Sequence, residues 1–149
     1  MSNKKIKNIS ELNDLLIKQK KKIHVLCHGV FDLLHIGHIK YFEEAKSMGD
    51  ILVVTLTPDV FVNKGVGRPV FNQKLRAEAI SALECVDYIA INEWPTAIET
   101  IEKIKPDLYV KGPDYKNPSN DISGNIKLEQ EAVEKIGGKI RFTKGAVFS

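Results

Sequence analysis

With 149 residues, 43% of them hydrophobic and 28% charged, the chain suits one compact domain whose core needs neither metal nor disulfide. A formal net charge of +3 does not require a nucleic-acid partner. No apolar run approaches the ~20 residues of a membrane span, and the opening MSNKKIKNISEL lacks the apolar stretch of a signal peptide, so a cytoplasmic protein away from the membrane is expected.

In chain order, Ser10 reads as the N-cap of a helix over about 10–20, with Leu12, Leu15 and Leu16 at helical spacing. The run KQKKK (18–22) reads as solvated cations at that helix's C-terminus, complementing its dipole. IHVLC (23–27) predicts a buried parallel strand. A helix over 36–48 follows, with an inward stripe of Ile39, Phe42 and Ala45 and a stop at Gly49. ILVVTL (51–56) predicts a second buried strand, and KGVGRPVFN (64–72) a Gly-, Pro- and cation-rich loop. Gln73 to Leu83 predicts a helix with Leu75, Ala79, Ile80 and Leu83 inward. VDYIAI (86–91), a helix from Pro95 to Ile104, and DLYVKG (107–112) come next. A polar loop (112–124), a helix over 125–136 and the strand KIRFT (139–143) complete the pattern. Cys27 and Cys85 lie in separate apolar segments without metal-ligand spacing, and read as buried small residues of a reducing compartment.

Five strand–helix alternations predict the α/β class: a Rossmann-like, doubly wound parallel sheet of about five strands in three layers. Ligands of such sheets bind outside the carboxyl ends of the strands. Three marked segments fall there: GVFDLLHIGH (29–38), the 64–68 loop and KGPDY (111–115).

The first of these carries most of the chemistry. A helix start presents unpaired N–H groups and the positive end of the dipole, which favours an anion, phosphate above all. Gly29 is expected to let the backbone approach a ligand, and Gly37 to let a group pack on the helix. His35 and His38, at i and i+3, share a helix face. Each can donate a hydrogen bond to a phosphate oxygen, and imidazoles also carry charge near neutral pH. Zinc is the poorer reading, because helix zinc pairs prefer i, i+4 and no Cys or acidic third ligand is close, so no metal ligand is assigned.

GVFDLLHIGHIKYFEEAKSMGD, GRPVFNQKLRAEAISALECVDYI and PDLYVKGPDY together resemble the HxGH nucleotidylyltransferase superfamily over most of residues 24–115. The likeness is greatest to its cytidylyltransferase-like members, including glycerol-3-phosphate cytidylyltransferases and the adenylyltransferase domains of ADP-heptose synthases. The resemblance implies an enzyme that joins a nucleoside triphosphate to a phosphorylated sugar or polyol and releases pyrophosphate. It implies Mg²⁺ held mainly through the triphosphate, and a homodimer. The acceptor phosphate is already ionised, so catalysis rests on positioning and on charge stabilisation at the α-phosphorus.

By resemblance, His35, His38 and Lys64 are the catalytic candidates. Gly29, Val30, Phe31, Gly37 and His38 would line the nucleotide site, with Lys40, Arg76 and Lys111 as further contacts. Lys40 is read either as a surface partner of Glu44 or as a phosphate contact, and Arg76 as reaching phosphate or facing solvent. Asp32, Arg68, Trp94 and Asp114 are assigned to the acceptor, Asp32 with the alternatives of orienting backbone or sitting near the metal. The base is contested. ALECVDY is heptose-like, since glycerol-phosphate enzymes tend to carry Arg where Glu84 stands, whereas Trp94 in NEWPT matches enzymes that use CTP. The reading leans to CTP and to a CDP-linked precursor of a surface glycan, with ATP and a heptose phosphate as the alternative. Too few aromatics are available for a choline cage. TKGAVFS stops at the first residue of the turn that usually opens a last helix, so that helix or a following domain is expected to be missing from a single domain over 1–149. Rival readings are a nucleotide-binding module without turnover and an aminoacyl-tRNA synthetase. The chain lacks the second basic signature and the tRNA-binding body that the latter needs.

Overall fold

A computed structural model describes residues 2–62, 65–116 and 125–145. Its strands are β1 (His24–Gly29), β2 (Ile51–Leu56), β3 (Tyr88–Ile91), β4 (Leu108–Lys111) and β5 (Lys139–Phe142). They form one parallel sheet in the order β3-β2-β1-β4-β5. The helices are α1 (Ile9–Ile17), α2 (Ile36–Ser47), α3 (Gln73–Ser81), α4 (Ile98–Ile104) and α5 (Asn125–Lys135). The expected doubly wound α/β architecture is therefore the observed one. No helix among the described residues is long and apolar enough to cross a membrane.

Alternation along the central strands divides the core in two. Leu26, Val53, Tyr109 and Ile140 face α1, α4 and α5, where Leu12, Leu16, Ile101 and Val133 cover them. Val25, Cys27, Val54 and Val110 face α2 and α3, against Phe42, Ala45, Ala77 and Ile80. Each such side chain contributes about 1.5–3 kcal/mol when removed from water, which is why both faces of β2 read as continuous apolar sequence. At the free edge of β3, Ile6 bridges Ile89 and Lys7 N–H donates to Ile89 O at 2.8 Å, so the chain's own start covers an edge that would otherwise be open to pairing.

Three local expectations are corrected. The cap of α1 is Asn8 rather than Ser10: Asn8 Oδ1 accepts from Glu11 N at 2.8 Å and Glu11 Oε1 accepts from Asn8 N at 3.1 Å. Helix α3 is rotated relative to its expected face. Arg76, Ala77, Ile80 and Ser81 are buried, while Leu75 and Ala79 are exposed, because Arg76 is anchored inward by backbone carbonyls. Helix α4 starts at Ile98, not Pro95, since Asn92 Nδ2 donates to Trp94 O and Thr96 O at 2.8 Å each and holds 92–97 as a loop.

β1 is flanked by β2 on one side and β4 on the other, so the winding reverses between β1 and β4. That reversal opens a crevice at their carboxyl ends.

Candidate active site

The turn after β1 is set by a chain of small constraints. Phe31 adopts φ 50°, a left-handed conformation costly for an aromatic residue. Its ring meets Phe42 with centroids 4.9 Å apart and His38 edge-on at 5.4 Å. A Cβ on Gly29 would lie 2.8 Å from the Phe31 ring, so a side chain at position 29 would displace Phe31.

His35 is the N-cap of α2. Its Nδ1 accepts from Gly37 N at 3.0 Å, and His38 Nδ1 accepts from His35 N at 3.3 Å, a reciprocal box closed by two imidazoles. The rings stack with centroids 4.0 Å apart. An Nδ1 that accepts must carry the ring proton on Nε2, so the cap selects the tautomer in which Nε2–H is the donor. Capping and phosphate binding are thus compatible uses of the same residues. Both histidines, with Gly29, Val30, Phe31 and Gly37, line a cleft of about 370 Å³. Lys111, Asp114 and Tyr115 close it from the end of β4, the Lys111 ammonium lying 4.7 Å from the Tyr115 ring centroid.

The remaining candidates are placed differently. Lys40 pairs with Glu43 at 3.6 Å rather than with Glu44 and lines an adjoining cavity with Gly37 and Tyr41. Glu44 instead accepts from Lys144 N at 2.8 Å. Asp32 and Arg68, both expected at the acceptor, bind each other: Arg68 Nη1 donates to Asp32 Oδ2 at 2.9 Å. Asp32 also accepts from Val70 N at 2.9 Å and Phe71 N at 3.0 Å. Burial alone would raise this carboxyl, but the two amides and Arg68 outweigh it and hold it at about 2. Asp32 therefore orients backbone, locking the 65–72 loop to the turn.

Arg76, expected at phosphate or in solvent, is buried beneath the turn. It donates through Nε to Phe71 O (3.0 Å), through Nη1 to Val30 O (2.8 Å) and Thr57 O (2.9 Å), and through Nη2 to Asp59 (2.7 Å). Its role is to hold Val30 in place, not to meet solvent. Trp94 packs against the α1–α4–α5 core with Lys103 over its ring at 5.9 Å, and lines neither the cleft nor its neighbours. Lys64 lies outside the described residues. Burial pushes the Cys27 thiol up to about 12, and raises that of half-buried Cys85 as well.

One residue of the site escaped the sequence reading. His28, one position beyond the expected strand but within β1, is buried with Nδ1 2.8 Å from Thr55 Oγ1, and Lys111 donates to its carbonyl at 3.1 Å. Burial, and secondarily the Lys111 charge, hold its ring down at about 3, so it is neutral at physiological pH. The signal was available in the period-2 pattern: His28 shares the face of Leu26 and so looks away from α2, while remaining at the crest of the sheet.

Among the described residues no group of three or more His, Cys, Asp and Glu side chains is arranged to hold a metal ion.

Comparison with known proteins agrees with this geometry. The profile of the family described as cytidylyltransferase-like matches residues 26–145. The "Bifunctional protein HldE" of Campylobacter concisus is 42% identical over 137 residues, covering 91% of this chain and 29% of that protein. Its namesake in Aliarcobacter butzleri is 44% identical over 146 residues, covering 93% and 30%. The chain thus spans roughly a third of the length of these curated relatives. The crystal structure of the lipopolysaccharide core biosynthesis protein from Thermoplasma volcanium superposes with a TM-score of 0.67 at 31% identity, covering 86% of this chain and 99% of that one. Pantoate-beta-alanine ligase from Francisella tularensis, at 17% identity and a TM-score of 0.65 over 93% of this chain and 66% of that one, shares the fold. With the HxGH turn at the switch point of the sheet, these matches place the chain in the cytidylyltransferase-like family of nucleotidyltransferases.

Proposed function

We propose that this chain is a nucleotidylyltransferase domain that moves an adenylyl group from ATP to a heptose phosphate. An oxygen of the acceptor phosphate attacks the α-phosphorus, the bond to the bridging oxygen breaks, and pyrophosphate leaves with the electron pair. No proton has to move. The observation that carries the reading is the imidazole box at the start of α2, which holds two stacked imidazoles by their Nδ1 atoms at the wall of one cleft, beside a helix N-terminus. Such donors stabilise the charge that builds on the phosphates in the transition state.

ATP is preferred to CTP for two reasons. The lean to CTP rested on Trp94 beside the acceptor, and Trp94 is engaged with the core and Lys103. Several relatives at 40% identity or more carry the HldE name. Magnesium enters this reading on the triphosphate, because the described residues form no carboxylate cage for it. Its chemistry is to neutralise phosphate charge, and the residues of the cleft orient what it accompanies.

The test is to incubate the protein with each nucleoside triphosphate, Mg²⁺ and a panel of heptose, hexose, glycerol and choline phosphates, and to measure pyrophosphate. Release with ATP and a heptose phosphate is expected. Release only with CTP and a polyol phosphate would overturn the assigned base. Nucleotide affinity that survives His35→Ala, with no release from any pair, would overturn catalysis itself.

A further inference from the structure

A cavity of about 330 Å³ opens at the amino end of the sheet, between the C-terminal ends of α1 and α4. His24, the first residue of β1, forms part of its wall. The HxGH turn follows the other end of the same strand, roughly 16 Å away. The two places can therefore be occupied together.

We infer that this distal cavity is a second binding site, for a small hydroxylated organic phosphate. The site does not depend on the transferase reading. Lys20, Lys103 and Lys105 line it, and no carboxylate does. None of the three lysines forms an ion pair among the described residues, although Lys103 also reaches over the Trp94 ring. Asp107, at the same end of the sheet, has Oδ2 engaged by the His24 amide at 2.8 Å. Helix dipoles account for only part of this charge. Each C-terminus is equivalent to about half a negative charge, so α1 and α4 together offset about one of the three cations. The excess of about two matches the charge of about −1.5 to −2 on a phosphate monoester at neutral pH.

The rest of the lining calls for a carbon skeleton that carries hydroxyls. Leu16 and Ile104 are buried and Ile17 is 56% exposed, an apolar wall that inorganic phosphate would leave bare. The His24 ring is buried, with Nε2 2.8 Å from Gln19 O. A carbonyl only accepts, so Nε2 carries the ring proton and Nδ1 is an acceptor. No described residue hydrogen-bonds to that Nδ1. Half-buried Asn13 adds an amide that both donates and accepts. A hydroxyl satisfies either group. The enclosed volume falls in the range of small-ligand sites, roughly 300–1,000 Å³, which favours a sugar or polyol phosphate over a macromolecular surface.

The experiment titrates the protein with glucose 6-phosphate, glycerol 3-phosphate and inorganic phosphate while the imidazole NMR signals are followed. The His24 signals are identified by their loss in His24→Asn, and they report the distal cavity, whereas those of His35 and His38 report the cleft. At least one organic phosphate is expected to shift the His24 signals saturably and to bind ~10-fold or more tighter than inorganic phosphate. The double variant Lys20→Gln/Lys105→Gln, made at exposed positions, is expected to weaken that binding ~10-fold or more and to leave the His35 and His38 signals as in wild type. Asn13→Leu should weaken the organic phosphate more than the inorganic one. Equal affinity for inorganic phosphate would reduce the cavity to a counter-ion site and overturn the inference. So would the absence of any shift at His24, a shift indifferent to the double variant, or a response at His24 to a polyglutamate peptide alone.

Discussion

At the scale of single residues, His35 does two jobs that substitution can separate. It caps α2 through Nδ1 and lines the cleft, with Nε2–H as its ring donor. His35→Ala loses both, and is expected to cost about 1 kcal/mol of stability and ~10²–10³ in rate. His35→Asn keeps a good cap and removes the donor. Its melting temperature should therefore stay near that of wild type while its rate falls as far as that of the alanine variant. Melting curves and pyrophosphate release on the same preparations check this. Equal losses of stability in the two variants would mean that Nδ1 is not the capping atom.

At the scale of elements, the 65–72 loop and the β1–α2 turn form one unit, pinned from opposite sides by Asp32 and Arg76. The carboxyl of Asp32 lies at about 2 in the folded chain against an ordinary 3.8. A depressed folded value means that the lock is fully present above about pH 4 and is lost as the pH falls toward 2. Asp32→Ala removes a charged acceptor from the Val70 and Phe71 amides, and their hydrogen exchange at neutral pH should quicken by ~10–100-fold. From the other side, Arg76 satisfies the carbonyls of Val30, Thr57 and Phe71. Arg76→Met should destabilise the domain by about 3 kcal/mol in urea, and Arg76→Lys should recover only part, because an ammonium cannot reproduce the planar fork. A near-neutral Arg76→Lys would show that charge alone holds the turn.

At the scale of the whole molecule, the buried imidazole at the crest couples stability to pH. His28 titrates at about 3 when folded and near 6.5 when exposed. Between those values the unfolded chain binds the extra proton, so its contribution is fully present above pH 6.5 and is lost as the pH falls toward 3. The limiting slope is about 1.4 kcal/mol per pH unit. Urea midpoints measured from pH 7 to pH 4 should fall accordingly, and His28→Gln should flatten that limb. An unchanged limb would mean that His28 is not the group responsible.

Strand and helix order, the parallel sheet and the HxGH corner were legible in the sequence because each depends on local periodicity and on residues close in the chain. ILVVTL is a strand from Ile51 to Leu56 as its apolar run implies, and Gln73 and Asn125 open helices where the pattern says they should. What the sequence could not assign was the use of long polar side chains. Asp32, Arg68, Arg76 and Trp94 all looked like ligands because they stand near the crevice in the chain, yet three of them satisfy the loop and turn around it and the fourth, half-buried, packs against the core. Only tertiary structure decided this, because a buried charge goes wherever its partners converge, and those partners come from segments up to 46 residues away.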